Sequence, residues 1–296
     1  MDQNSRHLSL LAFVSLGIVW GSNFIYMKMA AQLISASQMV LLRVLFGLIP
    51  VLGYAWYKKA IRLSQLRHAH HFFAMSVLAT AFYYWCFAKG SGLLLSGIAG
   101  AVSGIAPLLA FVMAVAFISE ERATPKKICG VFIGLAGVVL VARPTGAEIA
   151  SSNLEGVIYM VLGSLSVGGS FVYARKYVIP LHLPGAALTA WQLAFGFLIL
   201  ALITPYEGMG NLFTDTHATL GLIIGLGLLG TGLAYILYYF IVETMGAVSA
   251  SSVSYIPPVV ALIIGFLIAG EPIGTLDFIA TGLIFLGVIL LKQSRG

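Results

Sequence analysis

The sequence predicts an all-α integral membrane protein: ten transmembrane helices arranged as two inverted five-helix repeats. Three observations predict it. Charged residues are only 9% of the 296-residue chain and hydrophobic residues 60%, whereas an average soluble domain carries about 25% charged residues. The apolar surplus has to face lipid. Apolar stretches of spanning length follow one another with only short connections. The second half of the chain also repeats the first at a nearly constant offset.

A span takes about 20 predominantly apolar residues. Ten stretches qualify: 8–29, 34–57, 70–89, 93–118, 126–142, 153–174, 185–205, 217–242, 247–269 and 273–292. The first follows a short polar start, Met1 to His7, and no small-x-small cleavage pattern interrupts it before Lys28. It reads as a retained span rather than a removed signal peptide. The connections leave no room for a separate soluble domain, so function is expected within the membrane.

Orientation follows from the basic residues. Arg6, Lys58, Lys59, Arg62, Arg67, Arg122, Lys126, Lys127, Arg175, Lys176, Lys292 and Arg295 share the side of the N-terminus, while Lys28, Lys89 and Arg143 face the other. This bias puts both termini in the cytoplasm. It also accounts for the net charge of +6. No aromatic-interleaved basic stripe marks a nucleic-acid binder.

Several chemistries find no support. Cys86 and Cys129 offer neither a disulfide framework nor a zinc pattern. His68, His70 and His71 cluster in a basic loop with no Cys or carboxylate close by, so no metal is expected. Gly225, Gly227 and Gly230 satisfy G-x-G-x-x-G, but inside an apolar span without β-α-β context, so no cofactor is expected. Gly221 and Gly225, Gly130 and Gly134, and Gly100 and Gly104 have the spacing of close helix packing. No paired carboxylates, HExxH or Ser/His/Asp arrangement gives enzyme chemistry a foothold.

The repeat is the most informative pattern. A shift of 151 places Thr80 on Thr231, Tyr84 on Tyr235, Ser103 on Ser254, Pro107 on Pro258 and Glu120 on Glu271. A shift of 149 pairs Phe46-Gly47 with Phe195-Gly196 and Arg43 with Gln192. A shift of 147 pairs Gly21, Phe24, Tyr26 and Lys28 with Gly168, Phe171, Tyr173 and Arg175. Each half, 1–146 and 147–296, holds five spans. That number is odd, so the second enters the bilayer from the opposite side. Two such scaffolds can rock about a central site, which makes transport the leading reading. A membrane-embedded lipid enzyme and a scaffold or sensor are the rival classes.

The candidate cavity residues follow. Pro107 and Pro258 fall near the middle of spans four and nine, Pro257 beside the second, and mark broken, cavity-lining helices. Ser103 and Ser254 each precede their proline by four residues, on the same helix face. Tyr84 and Tyr235, with Trp20, Tyr255 and Asn23, would supply polar handles in an apolar cavity. Tyr238 and Tyr239 fit a headgroup belt. Arg43 is the one charge deep within a span; it either ties helices together, the favoured role, or meets a substrate carboxylate. Its counterpart Gln192 favours hydrogen bonding. Glu120 and Glu271 suit helix-end capping or gate pairing, and no midplane carboxylate suggests a proton relay.

Trp20-Gly21-Ser22-Asn23-Phe24 followed by Lys28 resembles the first-span signature of the EamA-type branch of the drug/metabolite transporter superfamily. The stretch from Gly230-Thr231 through Tyr235, Gly246-Ala247 and Pro258 to Gly270-Glu271-Pro272 is similar to its second-half signature. The resemblance implies a ten-helix inner-membrane carrier with a central cavity lined by spans one, three, four, six, eight and nine. It also implies export of amino acids, related metabolites or drugs by alternating access. Ser119-Glu120 departs from the family's usual Gly-Glu. The expected partners are a small-molecule substrate and the lipid bilayer. A homodimer, and import of sugars or nucleotide-sugars, stay open as alternatives.

Overall fold

Backbone N–H and C=O groups find no partners in hydrocarbon, so a chain this apolar satisfies them within helices. The computed structural model describes residues 3–142, 149–246, 250 and 252–293, and no strand occurs among them. Arg143, Ala247, Arg295 and the junction of the halves at 146–147 lie outside the described residues.

Among the described residues eight helices are long and apolar enough to cross a membrane: α1 (His7–Ala31), α2 (Ala36–Tyr57), α3 (Leu63–Leu93), α4 (Ser96–Phe117), α5 (Pro125–Ala142), α6 (Asn153–Leu181), α7 (Gly185–Ile203) and α8 (Thr216–Met245). Two shorter apolar helices follow, α9 (Ser252–Ile268) and α10 (Thr275–Leu291). α3 begins earlier than the apolar stretch because a 3₁₀ turn, Leu63–His68, leads into it. Gln65 holds that turn, accepting from the Arg62 N–H at 3.1 Å and donating to the Ala60 carbonyl at 2.9 Å. α6 runs past 174 because a π-helical turn, Ala174–Val178, carries it on.

The prolines restart helices rather than kink them midway. α4 consists of Ser96–Ser103 and Ala106–Phe117, and Pro107 sits in the first turn of the second piece. In α9 a 3₁₀ turn, Ser252–Tyr255, precedes Ile256–Ile263, with Pro257 and Pro258 in its first turn. There a missing N–H leaves nothing unsatisfied. The break in α4 therefore lies at Gly104, upstream of the proline. A Cβ on Gly104 would stand 3.4 Å from Pro258 Cγ, so the two interrupted helices touch at this point. Ser103 Oγ donates to the Gly100 carbonyl at 2.6 Å, keeping an acceptor beside the break bonded.

Helix contacts are close where glycines meet. α5 packs on α10 so tightly that a Cβ on Gly130 would lie 2.6 Å from the Gly287 carbonyl oxygen. Gly221 and Gly225 of α8 receive the Tyr26 ring of α1. The glycines of the G-x-G-x-x-G pattern thus serve helix packing, as their spacing predicts. On the outer surface, Trp56, Phe132 and Leu202 are 83%, 68% and 86% exposed, apolar faces suited to lipid.

Candidate functional site

The start of α2 is fixed by a capping box between Ser35 and Gln38. Gln38 Nε2 also donates to the Pro205 and Glu207 carbonyls, both at 2.7 Å, tying α2 to the α7–α8 connection. Further along α2, buried Arg43 faces α8. Its Nε donates to Thr231 Oγ1 at 3.0 Å and its Nη1 to Met27 Sδ at 3.8 Å. Thr231 stands in a π-helical stretch of α8, Gly221–Leu233, and its hydroxyl donates to the Leu226 carbonyl at 2.9 Å. Among the described residues no carboxylate pairs with Arg43.

A second bond answers the first. Gln192, buried on α7, donates from Nε2 to Thr80 Oγ1 at 2.9 Å. Thr80 lies in a π-helical turn of α3, Val77–Ala81. Both threonines thus occupy widened helix turns, a feature common at functional sites. Gly47 lies against Thr231 and Gly196 against Thr80, so the acceptors sit beside glycines that admit them.

Aromatic rings close the other side. The Arg43 guanidinium carbon stands 3.9 Å from the Tyr84 ring centroid, a cation–π contact. Tyr83 and Tyr84 have ring centroids 5.0 Å apart. Tyr84 of α3 and Tyr235 of α8 lie close to one another. Asn23 is buried on α1 one turn before Met27; its Oδ1 faces Gly230 and has no hydrogen-bond partner among the described residues. Arg43, Gln192, Tyr84, Tyr235 and Asn23 therefore gather where α1, α2, α3, α7 and α8 meet.

The remaining candidates lie elsewhere. Trp20 stacks near Tyr238 at 6.2 Å, within a separate apolar cluster containing Leu16, Ile241 and Val253. Tyr238 and Tyr239 are both half-buried, and Tyr239 hydrogen-bonds Thr189 of α7. Ser103, Pro107 and Pro258 lie around the contact of α4 with α9, where Tyr255 packs against the main core and Ser254 is exposed. Buried Glu271 accepts from the N–H groups of Ser96 at 2.7 Å and Gly97 at 3.0 Å, capping α4. Lys28 Nζ donates to the Leu94 carbonyl in the same turn. Glu120, its match in the first half, is exposed.

A cavity of about 630 Å³ opens on the face carrying the α2–α3 and α6–α7 connections. Lys58, Lys59, Arg62 and Arg67 border it, with Glu243, Tyr54 and Tyr239.

The sequence model of the EamA-like transporter family matches residues 7–143 and again 154–292. The chain belongs to the EamA-like transporter family. It is a multi-pass membrane transporter, and neither family nor relatives are enzymes. An "Uncharacterized transporter" of Archaeoglobus fulgidus is 26% identical over 281 residues, covering 93% of this chain and 95% of its own. YdfC of Bacillus subtilis, an uncharacterized transporter, is 27% identical over 270 residues, covering 91% and 85%. YedA of Escherichia coli K12, an uncharacterized inner membrane transporter, is 27% identical over 202 residues, covering 68% and 63%. One crystal structure superimposes with TM-score 0.63 at 18% identity, covering 97% of this chain and 96% of that one, so the two share a fold.

In this EamA-like transporter the sequence reading missed three groups. Thr80 and Thr231 stood out only as repeat markers, because a threonine in an apolar helix gives no sign of its partner. Glu121, beside the candidate Glu120, is the acid that pairs with Lys127 at 2.9 Å and Arg175 at 3.5 Å. The basic cavity was visible only as positively charged connections. His71 Nδ1 lies 2.8 Å from the Tyr173 hydroxyl, and no metal-binding group of His, Cys, Asp or Glu occurs among the described residues.

Proposed function

We propose that this EamA-like transporter is a secondary carrier of the cell inner membrane that exports small metabolites, amino acids or related compounds, or drugs. In this reading ten helices form two inverted five-helix repeats, 1–146 and 147–296, with both termini cytoplasmic. The halves alternate access to a site between them. The observation that carries the reading is the exchange of bonds at the centre. Arg43 of the first half reaches Thr231 of the second, and Gln192 of the second reaches Thr80 of the first. Each half's second helix thereby grips the other's third, a reciprocity that supports the reading of two related halves.

Asn23, Arg43, Tyr84, Gln192 and Tyr235 would then meet the solute. Trp20, Ser103, Pro107, Ser254, Tyr255 and Pro258 would frame the path on either side. Glu271 would latch the outer end and Glu120 would serve the inner one. The cavity on the basic-loop face, cytoplasmic by the charge bias, supports loading from inside.

The test is flux in oriented proteoliposomes holding the full chain, with radiolabelled amino acids, sugars and bases, with and without a pH gradient. Outward flux of an amino acid or related metabolite, indifferent to the gradient, is expected. Inward flux of a sugar would favour the importer reading instead. No flux in any pool would overturn transport of these solutes.

A further inference from the structure

Arg43 is 6% exposed. A guanidinium stays charged in any protein setting, and an arginine at a helix centre costs about 2.5–3.5 kcal/mol on insertion scales. Such a charge is normally offset by an anion. Here the described residues supply a hydroxyl, a thioether and the face of an aromatic ring, all neutral. Nε and Nη1 are engaged, the latter only by a weak sulfur acceptor. Nη2 has no hydrogen-bond acceptor among the described residues. With Tyr84 beneath its carbon and only a sulfur on Nη1, the guanidinium retains donors for a carboxylate, which can accept two parallel bonds.

A second, independent group lies one helical turn from Met27. Asn23 is 4% exposed and its Oδ1 has no partner among the described residues. The neighbourhood therefore holds an uncompensated cation and an unused acceptor.

The third observation is the approach. Lys58, Lys59, Arg62 and Arg67 border the open cavity against one acid, Glu243. Tyr54 of α2 and Tyr239 of α8 also border it, and each helix leads inward to the Arg43 cluster. Tyr239 lies one turn from Tyr235, which neighbours Tyr84, which lies under Arg43. Basic loops alone follow from membrane orientation. They do not explain why the line from them ends on a buried cation without an anion. A mouth and an interior of one sign raise the local concentration of solutes of the opposite sign and repel those of the same sign.

We infer that the transported solute carries a carboxylate, collected by the basic mouth and held by the Arg43 guanidinium on Tyr84, and that cations are excluded. The inference rests on the transport reading above and narrows its substrate class. Purified full-length protein would be given three pools: amino acids, their methyl esters, and simple monocarboxylates. Counterflow in proteoliposomes and thermal shift in detergent would both be read. Acids should be carried and should raise the melting temperature, while esters stay at background in both assays. Arg43→Gln should lower flux of the responsive acid at least tenfold, with a monodisperse elution profile retained; Arg43→Lys should recover part of it. Lys59→Gln/Arg62→Gln/Arg67→Gln should raise KM severalfold at low ionic strength and leave it unchanged in high salt. Esters handled as well as acids, or Arg43→Gln carrying the acid at the wild-type rate, would overturn the carboxylate site alone. Thermal shifts with acids but no flux in any pool would keep the site and sink the transport reading. Neither shift nor flux would remove both.

Discussion

Arg43 Nε donates to Thr231 Oγ1 across 3.0 Å, linking two elements 188 residues apart in sequence. Gln192 and Thr80 repeat the link at 2.9 Å with a neutral donor. The geometry is shared and the charge is not, so removing the acceptor should have unequal costs. Thr231→Val strands a charged donor, worth about 1.5–3 kcal/mol, whereas Thr80→Val strands a neutral amide, worth about 1 kcal/mol. Unfolding in mixed SDS–detergent micelles measures both. Equal losses, or a larger one for Thr80→Val, would contradict this account of Arg43.

The glycines behind those threonines should rank in the same order. A Cβ on Gly47 would stand 2.5 Å from Thr231 Cγ2, while one on Gly196 would stand 3.0 Å from Thr80 Cγ2. Thr231 cannot turn aside without breaking its bonds to Arg43 and Leu226. Overpacking costs about 1–3 kcal/mol; Gly47→Ala should sit at the upper end and Gly196→Ala at the lower. The same unfolding assay reads the difference. Indistinguishable variants would mean that the helices part freely at Thr231.

Glu271 and Glu120 are matched in sequence but not in setting. Glu271→Gln keeps the shape and removes the charge from the first amides of α4, a loss of about 1 kcal/mol. Glu120→Gln, on an exposed residue, should stay within about 0.5 kcal/mol of wild type. In the Glu271→Gln background, a reporter cysteine replacing buried Ser96 should react faster with a membrane-impermeant maleimide. An unchanged labelling rate would show that Glu271 does not hold this end closed.

The helical class and eight of the spans were legible because hydrocarbon permits few backbone solutions, so hydropathy alone nearly determines them. The helix edges were less so: α3 begins at Leu63 because Gln65 secures a 3₁₀ turn that carries no apolar signal. Proline composition announced interrupted helices but not where the interruption falls. Pro107 is compatible with a first turn, which moves the break to Gly104. At the site, the repeat pointed to Tyr84 and Tyr235, and they do meet. It could not pair Arg43 with Thr231, since a hydrogen bond between elements so distant in sequence leaves no local pattern. The bond of Tyr239 to Thr189 was equally hidden, because an aromatic near a helix end carries no sign of its partner on another helix.

Tyr84 has two separable neighbours, Arg43 over its ring face and Tyr235 beside it. Tyr84→Phe keeps the ring and removes only the hydroxyl, so it should fold normally and slow flux only a few-fold, within about 1 kcal/mol for one neutral polar group. Tyr84→Leu preserves much of the volume but takes the π face from the guanidinium, a contact worth about 2 kcal/mol when desolvated. It should therefore cost more flux than Tyr84→Phe, at comparable yield of monodisperse protein. Tyr84→Ala combined with Tyr235→Ala opens a void on both sides of the path and should abolish transport. Counterflow of whichever solute the wild type carries is the readout. If the double variant transported at the wild-type rate, the two tyrosines would be packing groups and the path would run elsewhere. Flux equal in Tyr84→Phe and Tyr84→Leu would instead remove the ring–guanidinium contact from any role in holding the solute.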